Sequence, residues 1–283
     1  MEVVDLHLHS TASDGDATAE QVVRRAADAG VAAIALTDHD TVAGVAEAAT
    51  TGAALGVRVV AGCEFSVKAW WGELHLLGYF LPADHAELNG FLTTQLDGRV
   101  TRAREIVQRL DRLGAPVSME SVRRHAQGVS IGRPHVARAL VEAAFVDSIG
   151  EAFGRYLSDD GPAYVPKVLP ELETVTDLVR RLGGVTSAAH LKERSTKKTL
   201  TRLLEAGVDG VEVLHPSHDD AAVIRLDGCS TALGLLKSGG SDWHGEGNAN
   251  DTRRRIGGLR VPGVWLDGLE RLHRERIAAA VDA

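Results

Sequence analysis

Cysteine is scarce in this 283-residue chain: Cys63 and Cys229 are the only two. They stand far apart and can form at most one bridge, so the sequence offers neither a disulfide scaffold nor a cysteine-based structural zinc site. Long apolar runs are missing too. None approaches the roughly 20 residues needed to span a bilayer. The start, MEVVDLHLHS, has no basic region followed by an apolar stretch, so no secretory leader is expected and a cytoplasmic location is. Positive charge is not in excess. A net charge of −8 argues against a broad basic surface for duplex nucleic acid. The first strand is not followed by Gly-x-Gly-x-x-Gly, and no Gly-x-Ser-x-Gly elbow occurs, so neither a dinucleotide fold nor a serine nucleophile is indicated.

Histidine, by contrast, is abundant, with 12 copies. The chain is 44% hydrophobic and 25% charged, as an ordinary globular protein is. Its length suits two domains or one α/β barrel of about 250 residues with an addition. Val3–His9 alternates, with Val4, Leu6 and Leu8 on one face and Asp5, His7 and His9 on the other, as a strand's period of two requires. Thr18 and Gln21 form a capping-box pattern ahead of a helix that stops at Gly30. Val31–Thr37 reads as a buried strand, Val42–Leu55 as a helix, and Val57–Glu64 and Glu73–Phe80 as strands. From about Asp84 to Tyr164 the patterns are helical, without a clear strand. Strand–helix alternation then resumes to a closing helix at Leu266–Val281. A mainly parallel sheet is expected, rolled into a barrel, with residues 1–83 and 165–283 forming the barrel domain and 84–164 a helical insertion.

The histidines fall at strand ends. His7 and His9 share a face near the end of the first strand. His39 follows the second, Glu64 ends the third, and His75 lies on the fourth. His190 and His215 end later strands, His218 lies close behind, and Asp242 and His244 follow the last. In a parallel barrel such ends meet on one rim, where active sites form. One histidine there is usually structural, but this many imidazoles with carboxylates indicate a multinuclear site for zinc, manganese or iron. His85, His125 and His273 lie amid polar residues and are taken as incidental. Asp5 is placed either to orient a ligating imidazole or to accept backbone amides. Gly15, Gly62, Gly239 and Gly240 flank ligand positions, where a missing side chain permits close approach.

Asp5-Leu6-His7-Leu8-His9-Ser10, Thr37-Asp38-His39-Asp40, Glu64, His190 and Ser241-Asp242-Trp243-His244 together resemble the PHP (polymerase and histidinol phosphatase) superfamily. The resemblance covers nearly the whole chain, including Arg133-Pro134-His135. It points to the subgroup of bacterial 3′,5′-nucleoside bisphosphate phosphatases and 5′-to-3′ exoribonucleases. It implies an α/β fold, a distorted seven-stranded β/α barrel, with three divalent metals. These are expected to be manganese, with iron or zinc as alternatives. By motif position His7, His9, Glu64 and Asp242 hold the first metal. Glu64 bridges to the second, completed by His75 and His190. Asp14, His39 and His244 hold the third. Relatives often place proline and then arginine after the histidine at position 190, whereas this chain reads His190-Leu191-Lys192-Glu193-Arg194.

The implied reaction is hydrolysis of a phosphate ester on a nucleotide or a 5′-phosphorylated oligonucleotide end. Paired metals lower the pKa of a bridging water and clamp the phosphoryl oxygens, so a metal-bridging hydroxide is the expected nucleophile. Arg133 is expected to bind phosphate through its planar fork, with His135, Lys192 and Arg194 as further contacts. His218 or His135 is expected to protonate the leaving oxygen. Two other readings stay open: a histidinol-phosphatase-type enzyme, and a non-catalytic metal-binding regulatory module. The oligomeric state is not legible, and no membrane partner is expected.

Overall fold

The computed structural model describes residues 2–128, 130–246 and 251–281. The chain opens with β1 (Val3–Leu8), α1 (Ala19–Asp28), β2 (Ala33–Leu36) and α2 (Val45–Leu55), then β3 (Arg58–Ala69) and β4 (Gly72–Tyr79). A helical stretch follows: α3 (Ala86–Arg112), α4 (Met119–Ala126), α5 (Arg133–Glu142) and α6 (Ile149–Ala152). Alternation returns with α7 (Leu172–Arg181), β5 (Val185–Ala188), α8 (Lys197–Glu205), β6 (Gly210–Leu214), α9 (Asp220–Leu233) and β7 (Leu236–Gly239). The short β8 (Val261–Pro262) and α10 (Gly263–Val281) complete it. Among the described residues no helix is long and apolar enough to cross a membrane.

The capping box forms as its sequence requires. The Gln21 N–H donates to Thr18 Oγ1 at 3.2 Å, and the Thr18 N–H donates to the Gln21 side chain at 3.0 Å. The strands order as β7-β6-β5-β4-β3-β2-β1-β8. Beyond β7 the chain runs back beside β1. There the His9 N–H donates to Trp243 O at 3.0 Å and the Asp242 N–H to His7 O at 2.9 Å. Those bonds nearly close the sheet into a barrel. An eighth, two-residue strand, β8, pairs antiparallel with β1 beside the seven expected ones.

The sheet is less parallel than the alternation suggested. β3 runs directly into β4 through the Trp70-Trp71 turn, and β4 lies antiparallel to both β3 and β5. A parallel neighbour needs a crossover of a dozen or more residues, and this turn leaves no room for one. Gly72, at φ 115°, supplies the backbone geometry that a side chain would resist.

Leu8, Val22, Val23, Ile34 and Leu36 form one apolar layer between α1, β1 and β2. Phe65, Leu76, Val175, Val179, Leu200 and Leu203 form another under α7 and α8. The helical stretch has its own core of Ile106, Leu110, Val122, Val136, Leu140 and Leu157. Each fully buried side chain of this kind contributes roughly 1.5–3 kcal/mol. Arg99 of α3 is tied to Asp40, just past β2, at 2.6 Å with both groups buried. That pair anchors the helical stretch over the rim where the strands end.

Candidate metal centre

The rim gathers the strand-end side chains around Glu64. Its Oε2 lies 3.3 Å from Nε2 of both His7 and His9, and 3.0 Å from His39 Nδ1. Its Oε1 lies 2.8 Å from His75 Nδ1 and 3.1 Å from His190 Nε2. One buried carboxylate therefore meets five imidazoles: His7 and His75 on β1 and β4, and His9, His39 and His190 just past the ends of β1, β2 and β5. Asp242 stands on a second side, with Oδ1 3.5 Å from His7 Nε2 and 3.3 Å from His9 Nε2, and Oδ2 3.3 Å from His215 Nε2. Asp14, in the loop after β1, places Oδ1 3.3 Å from His244 Nε2 and Oδ2 3.8 Å from His39 Nε2.

Four overlapping groups have donor atoms within 4.8 Å of one another: His7, His9 and Glu64; His39, Glu64 and His75; His9, Asp14, His39 and His244; and His7, His215 and Asp242. Hydrogen bonding alone leaves this cluster unsatisfied. His7 Nε2, His9 Nε2, Asp14 Oδ1, His39 Nδ1 and Glu64 Oε2 are buried without a hydrogen-bond partner. A buried polar atom without a partner costs roughly 1–3 kcal/mol, so several converging on one point are held there for a ligand. Imidazole nitrogen and carboxylate oxygen are the donors that manganese, iron and zinc take. The residues present therefore fit bound divalent ions.

Other polar groups fix the rings of the cluster, as a metal site would require. Glu212 Oε1 accepts from His7 Nδ1 at 3.0 Å, and Oε2 accepts the His190 backbone N–H at 2.9 Å. Glu73 meets His75 Nε2 at 3.0 Å, and His244 Nδ1 donates to the Asp242 carbonyl at 2.9 Å. Asp5 takes the second of its two expected roles. Its carboxylate accepts the Ser241 N–H at 2.9 Å and the Gly257 N–H at 2.8 Å, and it orients no imidazole. Burial pushes Asp5 up to about 6 against those amides, which pull it down.

Charge is concentrated here. Burial opposes ionisation of Glu64, Asp14 and Asp242, yet the surrounding imidazoles hold all three well below the ordinary carboxylate range. Burial alone would lower His75, but the Glu64 carboxylate raises it to about 9. The backbone is strained at two ligand positions, since His190 has φ 30° and Asp242 φ 50°. Gly240 is required by packing: a Cβ there would sit 2.4 Å from the Cβ and backbone N of His7.

A cleft of about 380 Å³ opens onto the cluster, with Asp14, His39, His75 and His190 on its floor. Arg102, Arg133, Lys167, Lys192 and Arg194 line its sides. Arg133 donates to Leu157 O at 2.9 Å and Asp159 Oδ1 at 2.7 Å, and packs over Phe153 and Tyr164. Arg102 is buried and donates to Val165 O at 2.7 Å; burial and the nearby Arg133 lower it to about 10.

The two histidines expected to donate a proton are both tied to backbone groups. His218 is buried, with Nδ1 on Val213 O at 3.1 Å and Nε2 accepting the Lys192 N–H at 3.2 Å. Both ring nitrogens are committed to backbone, and burial lowers its basicity. Burial pushes His135 down to about 4, and its Nδ1 accepts the Gly132 N–H at 2.9 Å. It fixes the turn that carries Arg133.

A family model described as PHP domain matches residues 5–161. The chain belongs to this family. It is 32% identical over 249 residues to the 5′-3′ exoribonuclease Rnm of Escherichia coli, covering 86% of this chain and 85% of that one. It is 34% identical over 257 residues to the 3′,5′-nucleoside bisphosphate phosphatase of Chromobacterium violaceum, covering 87% and 89%. A solved structure from Bifidobacterium adolescentis, described as a metal-dependent phosphoesterase, superposes with a TM-score of 0.87 at 27% identity, covering 96% of each chain. The PHP fold accounts for the strand-end placement of the donors.

The structure brings all nine motif-assigned residues into one cluster. It adds His215, which the sequence placed only on the rim, and Glu212, Glu73 and Lys167, which sequence reasoning missed. Glu212 had a signal: it is the one charge inside the apolar run from Val211 to Leu214. A carboxylate in a buried strand position needs a partner.

Proposed function

We propose that the chain is a divalent-metal-dependent phosphoesterase acting on nucleotides: 3′,5′-nucleoside bisphosphates, nucleoside monophosphates or 5′-phosphorylated ends of short RNA. The observation that carries this is Glu64, one buried carboxylate facing five imidazoles with unsatisfied buried donors around it, beneath a cation-lined cleft whose lining includes His39, His75 and His190. The names of the exoribonuclease and bisphosphate phosphatase relatives support the substrate class.

Three manganese ions is the reading that uses every donor. His7, His9, Glu64 and Asp242 would hold the first, with His215 joining on the Asp242 side. Glu64, His75 and His190 would hold the second, and Asp14, His39 and His244 the third. When bound, such ions lower the pKa of water and neutralise phosphoryl charge.

The chain's own residues do the rest. Residues 84–164 form one wall of the cleft and present Arg133, whose fork matches two phosphate oxygens. Lys192 and Arg194, from the segment after β5, also line the cleft. They supply cations where relatives often carry proline and then arginine. Lys167, held by Ser66 Oγ at 2.9 Å and by Glu73, adds a cation next to the His75 side of the cluster. Glu212 and Glu73 keep the imidazoles in the tautomer that directs a lone pair inward.

The test is an assay with manganese on adenosine 3′,5′-bisphosphate, a short 5′-phosphorylated RNA and histidinol phosphate. Release of phosphate or nucleotide from either of the first two is expected, with little from the third. Bound metal with no turnover on any would establish the regulatory-module reading instead.

A further inference from the structure

The turn joining β3 and β4 puts two tryptophans side by side in a chain that is only 4% aromatic. Trp71 lines the cleft that opens onto the metal cluster and is partly packed against the core beneath it. Trp70 is 42% exposed, and the two rings meet edge to face at 4.4 Å. Each carries a cation. The Arg194 guanidinium lies 5.7 Å from the Trp71 ring centre and also lines the cleft, while its tip contacts Glu193. Arg202, exposed on α8, stacks 3.8 Å from the Trp70 ring centre. Neither tryptophan takes part in the metal cluster, and Trp70 is the only exposed aromatic side chain among the described residues.

We propose that this tip is a track for single-stranded nucleic acid leaving the cleft, with Trp71 stacking the first base and Arg202 on Trp70 meeting a following phosphate. It rests on the reading that the cleft takes a 5′-phosphorylated end. Bases stack on aromatic faces whatever their identity, and cations beside those faces pair with the backbone between them. A base on Trp71 must be unstacked from its neighbour, so the track suits single strands and rejects duplex. It also fits the overall charge of −8, because the cations are local to the cleft and the turn beside it. The substrate class this selects is an oligonucleotide longer than one residue.

The test is equilibrium binding of 3′-fluorescein RNA with a 5′-phosphate and a phosphorothioate backbone that resists cleavage, in two lengths. The full chain with manganese is expected to bind a hexamer about tenfold tighter than a dimer, since stacking is worth about 1–3 kcal/mol per base. Trp71→Leu and Arg202→Gln should reduce that advantage to about threefold or less, and Trp71→Phe should keep it. Arg202 and Trp70 lie at the surface, so Arg202→Gln and Trp70→Ala decide the matter if Trp71→Leu fails to fold. Equal binding of both lengths by the wild-type chain, or an undiminished advantage in the variants, overturns the track. Length-dependent binding without hydrolysis of any nucleotide would strike the catalytic reading alone. Hydrolysis without length dependence would strike the track alone.

Discussion

Glu212 and His7 are joined by a buried 3.0 Å contact between Oε1 and Nδ1, which turns the other ring nitrogen of His7 toward Glu64. The same carboxylate holds the His190 backbone, so one residue of β6 positions donors from both β1 and the end of β5. Removing it frees two members of the cluster at once. Glu212→Ala is expected to weaken metal retention about 10- to 100-fold, measured by competition with a fluorescent chelator, with far-UV circular dichroism unchanged. Glu212→Gln, which keeps an acceptor, should lose less. Equal retention in the wild-type and alanine variants would remove the positioning role.

Arg133 should matter for binding more than for chemistry. Arg133→Lys keeps the charge but loses the planar fork and its packing over Phe153 and Tyr164. KM for a phosphorylated nucleotide should rise several-fold with kcat little changed. An unchanged KM would place the helical stretch outside the substrate cleft.

Gly240 packs against the backbone of His7 too closely for any side chain. Gly240→Ala must displace either β1 or the segment after β7, at a cost of about 1–3 kcal/mol in urea unfolding. Metal retention should fall with it, because His7 moves. Wild-type stability would show that the two segments lie further apart.

One pH effect lies away from the cluster. Hydrogen bonds from Ser121, Arg124 and His125 hold the Glu142 carboxyl at about 2, below its ordinary 4.5. Those bonds link α4 to α5. The folded-state value is depressed, so the stabilisation is complete above 4.5 and is lost as pH falls toward 2. Glu142→Gln should flatten the fall in unfolding midpoint across that window. An identical acid profile in the variant would show that Glu142 does not contribute.

Much of the centre was legible because strand ends converge. A period of two put His7 and His9 together, and their neighbours came from the rim geometry of a barrel. The β3–β4 hairpin was less legible. Val57–Glu64 and Glu73–Phe80 read as separate strands, and only the shortness of the Trp70-Trp71 turn makes them antiparallel. Asp5 and Glu212 are both carboxylates on strands, and the sequence reading named only Asp5 as a candidate ring-orienting group. The choice depends on what faces each across the barrel: Asp5 meets the backbone of Ser241 and Gly257, while Glu212 meets His7. The surroundings of His218 were illegible for the same reason. Its place near the rim is visible in the sequence, but the Val213 carbonyl and Lys192 amide that occupy its ring are not.

The most direct test is a manganese titration of chelator-stripped protein. Bound ions would be counted by native mass spectrometry while hydrolysis of adenosine 3′,5′-bisphosphate is followed. Activity is expected to be absent at zero ions and to saturate as three bind per chain, with Glu64→Gln binding fewer and staying inactive. Full hydrolysis in the stripped protein, or an active Glu64→Gln variant, would contradict a catalytic metal cluster centred on Glu64.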